Sequence, residues 1–279
     1  ILSPPNAPTN VVGTPADKTA SISWSPPSND GGSAITSYIV YINTGGVDIT
    51  TYNATGSPFQ LPEGSLKNGK SYTASVQAIN ATGIGPKSAY SAPFMPFGIP
   101  NTMPVPASNV YYTQGTAGNP TTAMVRLSWQ RFLDPNNSIC TALDGQANPD
   151  LRQQNACGAN GSKVTAYAVN FTPTVAGCTS DPQTIPQDNV NNPNYGTEFD
   201  ALSYDCNNLT PGITYNVTVA AINAAGTGQA GLTSFVVLPA PSIYPTGNTK
   251  ELNFQVPTGI GANGEAIGKV VVTETSTNK

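Results

Sequence analysis

The sequence predicts an all-β protein made of tandem β-sandwiches, for three reasons. Apolar residues alternate with polar ones over short runs, which is typical of half-buried strands. Clusters of Gly, Pro, Asn and Asp separate these runs, as turns do. The same order of runs and turns returns along the chain, whose 279 residues exceed the roughly 100 that one sandwich needs. We therefore expect modules at 1–97 and 98–239, and the N-terminal part of a third, incomplete module at 240–279.

The first module shows the pattern in its simplest form. The run SISWS (21–25) predicts a strand, and the turn cluster PPSNDGG (26–32) ends it. A second alternating run follows over 38–42, with its apolar residues on one face. A third run, YTASVQAIN (72–80), leads through the turn NATGIGPKS (80–88) into an expected last strand.

The later modules repeat this order. The second module contains three matching stretches: MVRLSWQ (124–130), KVTAYAVNFTP (163–173) and LTPGITYNVTVAAINAAGTG (209–228). A third copy over 250–276 places Phe254 where the first module has Trp24. This copy stops after its third strand, and a sandwich cut there leaves strand edges and apolar faces uncovered. We expect either that the protein continues or that another chain completes the module.

These stretches resemble the fibronectin type III family. One Trp stands on the second strand of each full module, at Trp24 and Trp129, and NDGGSAI (29–35) follows the first of them. The motif L-x-P-G-x-x-Y is complete at Leu209–Tyr215, and the Leu66–Tyr72 stretch lacks only its Pro. The resemblance implies an immunoglobulin-like sandwich whose motif Tyr bonds nearby backbone in a tyrosine corner. It does not imply one function, because this sandwich serves adhesion, receptor, linker and carbohydrate-associated roles.

The module boundaries are rich in Pro, at 92–108 and 237–247. Pro stiffens linkers, so we expect a semi-rigid rod of modules. Apolar residues in the first linker are candidates for contact with a neighbouring module or with another protein; they are Phe94, Met95, Phe97 and Met103.

The second module departs from the pattern by two insertions and by its cysteines, which are Cys140, Cys157, Cys178 and Cys206. Four cysteines allow three disulfide connectivities. We favour Cys140–Cys157 and Cys178–Cys206, because each bond closes one expansion locally. A zinc site and free thiols are the alternatives; zinc lacks support, since the chain has no C-x-x-C spacing and no His. Disulfides would place the protein in an oxidising compartment.

Seven N-x-S/T sequons are candidate glycosylation sites, namely Asn53, Asn80, Asn136, Asn160, Asn170, Asn208 and Asn216. Asn136 and Asn160 lie on the first insertion, and we expect them to be the best acceptors.

The residue types argue against enzyme chemistry. The absence of His excludes Ser-His-Asp and Cys-His arrangements and the commonest general base. Most carboxylates stand in turns beside Asn, Gly or Pro, where Asp favours local backbone hydrogen bonds. The stretch 144–150 resembles a calcium loop but lacks its full ligand series and terminal Glu. We expect no catalytic, cofactor or metal site.

Composition narrows the range of partners. Only 9% of residues are charged, the net charge is −4, and the 11 basic residues are scattered, which disfavours nucleic acid and anionic membrane. We expect a structural or adhesion protein of the extracellular space, cell surface or virion surface. Its partners would be other protein subunits of a surface assembly, filament or capsid, with possible glycans. An accessory spacer of a secreted polysaccharide-processing enzyme and a receptor ectodomain are the alternatives.

Overall fold

A computed structural model describes residues 2–113, 122–135, 140–141, 157–178, 201–238, 242–245 and 252–255. The chain divides into two compact units. The first unit comprises Ile1–Asn101, Phe132–Thr165 and Ile222–Gly228, and the second comprises Thr102–Arg131, Ala166–Ala221 and Gln229–Lys279. The first unit therefore contains the whole first sandwich together with two segments of the second repeat.

Apart from residues 140–141, which are helical, the elements of the described residues are β-strands, which confirms the all-β prediction. In chain order they are β1 (Thr9–Ala16), β2 (Thr19–Ser25), β3 (Ile35–Thr44), β4 (Val47–Ala54), β5 (Phe59–Gln60), β6 (Thr73–Asn80), β7 (Gly83–Ile84), β8 (Ala107–Thr113), β9 (Thr122–Gln130), β10 (Ala166–Thr172), β11 (Ala201–Leu209), β12 (Thr214–Asn223), β13 (Gly226–Thr227), β14 (Gly231–Val236), β15 (Ser242–Pro245) and β16 (Leu252–Gln255).

The first sandwich packs the sheet β1-β2-β5 on the sheet β4-β3-β6-β7. Alternation makes this possible, because every second residue of β2 and β3 is buried while its neighbours face outward. Trp24 of β2 meets Tyr38 of β3 edge to face, with ring centroids 5.1 Å apart. The other core residues include Ala20, Ile22, Val40, Ile42, Leu61, Leu66, Tyr72, Ala74, Val76, Ala78 and Phe94.

The second sandwich repeats this plan with the sheets β11-β9-β8 and β10-β12, where β12 also pairs with β13 and β14. Trp129 and Tyr167 stand in the places of Trp24 and Tyr38, with ring centroids 5.6 Å apart. Its buried residues include Ala123, Val125, Leu127, Val169, Phe171, Cys206, Val217, Val219 and Phe235.

Only a hairpin of the third copy is described. Strand β15 pairs with β16 antiparallel, and Ile243 lies opposite Phe254. The strand expected around Phe254 is therefore present, and the other predicted strands of this copy lie outside the described residues.

The end of the first sandwich differs from the expected last strand. After β7, every third residue donates its backbone N–H to a carbonyl of β6 or of Tyr72 just before it. The pairs are Gly85 to Ala78, Ser88 to Val76, Ser91 to Ala74 and Phe94 to Tyr72. The hydroxyls of Ser88 and Ser91 in turn accept the N–H groups of Val76 and Ala74, at 2.9 and 3.0 Å. Serine side chains thus supply acceptors that a regular strand would supply from its carbonyls. The equivalent part of the second repeat is the regular strand β14.

Candidate functional site

The tyrosine corner is the first local structure that both full repeats share. Tyr72 accepts the backbone N–H of Lys67 at 3.0 Å, and Tyr215 accepts that of Thr210 at 3.1 Å. We call residues 66–72 the Tyr72 corner and residues 209–215 the Tyr215 corner. Within each corner one Gly has a left-handed backbone, with φ of 78° and 83° respectively, which favours glycine over residues with a Cβ.

A glycine-containing turn after the Trp strand is the second shared structure. Residues 29–32 form the Asp30 turn and residues 158–161 form the Asn160 turn. The backbone N–H of Ser3 donates to Gly31 at 2.9 Å, and that of Gly98 donates to Asn160 at 3.0 Å. Each turn is therefore bound in the same way by the chain segment that enters its repeat.

A buried asparagine completes the match between the two turns. Asn80, at the end of β6, donates its amide to the carbonyls of Ser3 and Asp30 at 2.8 and 2.7 Å. Asn223, at the end of β12, donates to those of Gly98 and Ala159 at 2.8 and 3.0 Å. Each amide thus joins a turn to the segment that enters the same repeat.

Inside the first unit, the Asn160 turn lies against the Tyr72 corner. The amide nitrogen of Asn68 donates to the side-chain oxygens of Asn160 at 2.8 Å and Asp17 at 2.6 Å. The Asn68 oxygen accepts the backbone N–H of Lys18 at 2.8 Å, and the Asn160 nitrogen donates to the Ile99 carbonyl at 2.8 Å. Both asparagines use their nitrogen and their oxygen, so the contact is specific for amides.

Three glycines permit this close approach. A Cβ on Gly161 would lie 2.5 Å from the Gly69 nitrogen and 2.7 Å from the Pro96 oxygen. A Cβ on Gly98 would lie 2.5 Å from a carboxylate oxygen of Asp17. The N–H of Gly69 meanwhile donates to the Pro96 carbonyl at 2.9 Å. We call this set the glycine joint; its members are Asp17, Asn68, Gly69, Gly98, Asn160 and Gly161.

Comparison with known proteins agrees with this repeated architecture. The model of the fibronectin type III domain matches residues 6–94 and 154–237, which together make up more than half of the chain. The chain belongs to the fibronectin type III family. The first matched segment contains the Trp24 strand and the Tyr72 corner, and the second contains the Tyr215 corner.

The similar proteins cover between 30% and 85% of this chain. A mouse fibronectin type-III domain-containing protein 3A is 36% identical over 84 residues, which cover 30% of this chain and 7% of that relative. The structure of the chicken CNTN1 FN1–FN3 domains is 18% identical, covers 85% of this chain and 66% of that one, and has a TM-score of 0.34. A crystal structure of domains from titin is 26% identical and covers 33% of this chain and 32% of that one, with a TM-score of 0.30.

The linker residues proposed as contact candidates do not share one environment. Phe94 is 6% exposed and lies in the core of the first fibronectin type III repeat. The centroids of its ring and of the Tyr72 ring are 6.3 Å apart. Met103 is 2% exposed, and Met95 and Phe97 are half-buried. Phe94 and Met103 are therefore buried, and contact of the four residues with a neighbouring module or another protein stays a prediction.

The sequons also separate by environment. Asn53, Asn170, Asn208 and Asn216 are exposed, whereas the Asn80 side chain is buried and hydrogen-bonded. The amide nitrogen of Asn160 donates to the Ile99 carbonyl, and glycosylation of this sequon stays a prediction. Asn136 lies outside the described residues.

Both favoured disulfides are present in the structure. Cys140 is bonded to Cys157 in the first unit, and Cys178 to Cys206 in the second. The second bond is buried and connects the chain after β10 to β11, which belong to opposite sheets.

Charged pairs lie on exposed sheet faces. The Lys87 ammonium lies 2.5 Å from a carboxylate oxygen of Asp48 and 3.6 Å from the centre of the Tyr41 ring. The hydrogen bond from Lys87 lowers the pKa of the Asp48 carboxyl. Arg126 binds both oxygens of Asp205, at 2.7 and 2.6 Å, and lowers the pKa of that carboxyl. Each cation is engaged by a carboxylate of its own sandwich, in a partly exposed pair.

Neither a metal cluster nor a membrane helix occurs in the part of the chain that the structure describes. No group of three His, Cys, Asp or Glu residues there could hold a metal ion. No helix among the same residues is long and apolar enough to cross a membrane.

Sequence reasoning did not identify the glycine joint. A signal exists, because G-A-N-G at 158–161 recurs at 261–264 and corresponds to N-D-G-G at 29–32. The partner residues Asp17 and Asn68 carry no such signal, since they belong to turns in which Asp and Asn are common.

Proposed function

We propose that this protein is a non-catalytic structural or adhesion element in which tandem repeats form a semi-rigid support for contacts with other protein subunits. Tandem fibronectin type III domains are typical of adhesion proteins, receptor ectodomains and structural proteins, and members of the family are generally non-catalytic. The glycine joint is the observation that most supports a mechanical role, because it binds a turn of the second repeat to a corner of the first by side-chain amides and close glycine contacts.

The chemistry of the joint suits a stiff connection. Its hydrogen bonds join side-chain amides to each other, to backbone groups and to one carboxylate. A Cβ on Gly161 would press against backbone atoms of Gly69 and Pro96, and a Cβ on Gly98 would press against the side chains of Asp17 and Asn160. A contact of this kind resists bending in a way that a linker of Pro residues alone does not.

The surroundings that we propose are extracellular, either on a cell or on a virion. Two disulfides and no free cysteine among the described residues agree with an oxidising compartment. Non-reducing peptide mass spectrometry of protein from its native source checks this. We expect the Cys140–Cys157 and Cys178–Cys206 cross-links, and four free thiols would contradict an exterior location.

Backbone ¹⁵N relaxation tests the mechanical role. In the wild-type chain we expect the amides of the Asn160 turn and of the Tyr72 corner to share one rotational correlation time. The double variant Asn68→Ala, Gly161→Ala removes the amide pair and crowds the backbone, so new motion should appear in the Asn160 turn.

Asn53→Ala is the matched control, because Asn53 is exposed on β4 and lies outside the joint. It should leave the relaxation unchanged. Different correlation times for the turn and the corner in the wild-type chain would contradict the proposed stiffness.

A further inference from the structure

The dipeptide Asn-Gly occurs three times in the chain, at 68–69, 160–161 and 263–264. The first two meet inside the first unit, where the amide nitrogen of Asn68 lies 2.8 Å from the side-chain oxygen of Asn160. An asparagine is chemically labile before glycine, because glycine has no Cβ to shield its backbone nitrogen from the preceding side chain. The glycine joint therefore brings two labile dipeptides into contact.

The reaction of such a dipeptide needs no enzyme and no oxidant. The backbone nitrogen of the glycine attacks the side-chain carbon Cγ of the asparagine, so that an N–Cγ bond forms and a cyclic succinimide results. The Cγ–Nδ2 bond breaks, and its nitrogen leaves as ammonia with the proton of the former backbone N–H. Water then opens the ring at either carbonyl and leaves aspartate or isoaspartate. Nothing is oxidised or reduced.

The attacking nitrogen of the first dipeptide is engaged in the joint. The N–H of Gly69 donates to the Pro96 carbonyl at 2.9 Å. Gly161 lies against the same nitrogen, because a Cβ on Gly161 would come within 2.5 Å of it. A nitrogen that is hydrogen-bonded and covered in this way cannot approach the Cγ of Asn68.

The side chain of Asn68 is held as well. Its nitrogen donates to Asp17 at 2.6 Å and to Asn160 at 2.8 Å, and its oxygen accepts the backbone N–H of Lys18 at 2.8 Å. Rotation of the side chain towards Gly69 breaks these three hydrogen bonds together. Asn68 is only half-buried, so water reaches it once the joint opens.

We propose that Asn68 is a site of spontaneous deamidation that the glycine joint controls. The closed joint protects the Asn68-Gly69 dipeptide, and the open joint lets it react with loss of ammonia. The inference rests on the proposed structural role, because it concerns the regulation of the same joint.

The product of the reaction cannot form the joint again. An aspartate at 68 has no N–H to donate, so its carboxylate would face the carboxylate of Asp17 and the side-chain oxygen of Asn160. Like charges at such a short separation repel each other. Isoaspartate also lengthens the main chain beside Gly69, where a Cβ would already lie 3.3 Å from the Gly161 Cα. A joint that has opened long enough to react therefore stays open.

Peptide mass spectrometry of the full chain, after incubation at one mildly alkaline pH, measures the rate of deamidation at Asn68. We expect the folded wild-type chain to react at least about tenfold more slowly than the chain unfolded in guanidinium chloride, which corresponds to an opening free energy of about 1.4 kcal/mol. Asn160→Ala removes one hydrogen bond of Asn68. It should raise the rate about fivefold, the factor for a hydrogen bond of about 1 kcal/mol.

A second variant opens the joint in a different way. Gly161→Ala crowds the backbone of Gly69 and leaves every amide in place, and it should also raise the rate at Asn68. Asn53→Ala is the control, because Asn53 is exposed on β4 and lies outside the joint. It should leave the rate unchanged.

Asn68→Asp reproduces the product and tests its effect on the joint. We expect new motion of the Asn160 turn in ¹⁵N relaxation. Adding Asp17→Asn removes the like charge and returns an amide donor to this pair of side chains, so part of the common correlation time should be restored. A purely structural loss at position 68 would not be rescued by the second substitution.

Three results would overturn the proposal: equal rates in the folded and unfolded chains, a rate that neither joint variant raises, or an Asn68→Asp chain whose joint stays closed. If one of these occurs while the Asn160 turn and the Tyr72 corner of the wild type share one correlation time, only this inference falls. Different correlation times in the freshly prepared wild-type chain would contradict the mechanical role itself, whatever the rate at Asn68.

Discussion

The Tyr72 and Tyr215 corners have the same backbone and different surroundings. In each, a tyrosine hydroxyl accepts an N–H from five residues earlier, and a left-handed Gly stands three residues before the tyrosine. The first corner is covered by the Asn160 turn, and the second is exposed. The fold of the repeat therefore determines the shape of the corner, and the residue before its Gly, Asn68 or Pro211, determines what the corner can bind.

The two repeats also differ in how they end their second sheet. In the first repeat an irregular segment is hydrogen-bonded to β6 through Ser88 and Ser91. In the second repeat the regular strand β14 pairs with β12. A disulfide joins the sheets of the second repeat, and the first repeat has no cysteine. Each difference offers a paired experiment, and the two tryptophans, Trp24 and Trp129, give each repeat its own fluorescent probe.

The largest effect is expected from the buried disulfide of the second repeat. Cys178→Ser with Cys206→Ser opens a loop of 28 residues, which in the chain-entropy model costs about 3 to 4 kcal/mol of unfolding free energy. Urea unfolding followed by Trp129 fluorescence, in a Trp24→Phe background, measures the loss. The first repeat, followed by Trp24 in a Trp129→Phe background, should be unchanged. A loss of similar size in both repeats would contradict the assignment of this bond to the second sandwich alone.

A matched pair of glycine variants compares the packed Asn160 turn with the exposed Tyr215 corner. Gly161→Ala and Gly212→Ala both place a Cβ on a left-handed backbone, at φ of 85° and 83°, which costs about 1 to 2 kcal/mol in either case. Gly161→Ala also forces the new Cβ against backbone atoms, which adds about 1 to 3 kcal/mol. Urea unfolding compares the two variants. Equal losses would show that the Asn160 turn is not packed as described.

The serines of the irregular segment test how the sheet of the first repeat ends. Ser88→Ala or Ser91→Ala removes an acceptor from a buried N–H of β6, which costs about 1 to 3 kcal/mol. Ser234→Ala on the exposed face of β14 should change stability by less than about 0.5 kcal/mol. Thermal unfolding of the three variants measures the contrast. A stable Ser88→Ala variant would mean that another group accepts the Val76 N–H.

The tyrosine corners should respond alike. Tyr72→Phe and Tyr215→Phe each remove one acceptor of a backbone N–H while keeping the ring, and each should cost about 1 kcal/mol. Urea unfolding, read by the tryptophan of the same repeat, compares them. If only Tyr72→Phe lowers the free energy of unfolding, the stabilisation by its hydroxyl depends on the Asn160 turn and not on the corner itself.

The smallest effect is expected from the surface pair of Lys87 and Asp48. The hydrogen bond from Lys87 lowers the pKa of the folded Asp48 carboxyl, so its stabilisation is present above the unfolded pKa and is lost as pH falls through the folded pKa. Because both side chains are partly exposed, the contribution is below about 1 kcal/mol. Thermal unfolding against pH should show a flatter acid limb for Lys87→Met. An unchanged acid limb would mean that the pair contributes nothing.

Much of the fold follows from the sequence because it is encoded locally and repeated. The alternation around Trp24 and Trp129, the L-x-P-G-x-x-Y corner and the turn clusters predict strands and sandwiches. The disulfide pairing could be predicted because each favoured bond closes one expansion. These features depend on residues that are near in the chain.

The glycine joint could not be predicted in the same way. Asn68 and Asn160 are 92 residues apart, and each is an ordinary turn residue in its own context. The burial of Phe94 could not be predicted for a similar reason, since the pairing of its backbone with Tyr72 draws it into the core. The hydrogen bonds that Ser88 and Ser91 make to β6 come from residues spaced three apart. Neither the period of a strand nor that of a helix predicts this spacing.

The central claim is that the Asn160 turn is bound to the Tyr72 corner through Asn68. A double-mutant cycle of Asn68→Ala and Asn160→Ala, measured as free energies of unfolding, tests this most directly. Residues that share a hydrogen-bond network are expected to show a coupling energy of about 0.5 kcal/mol or more. Strictly additive losses in the double variant would contradict the claim.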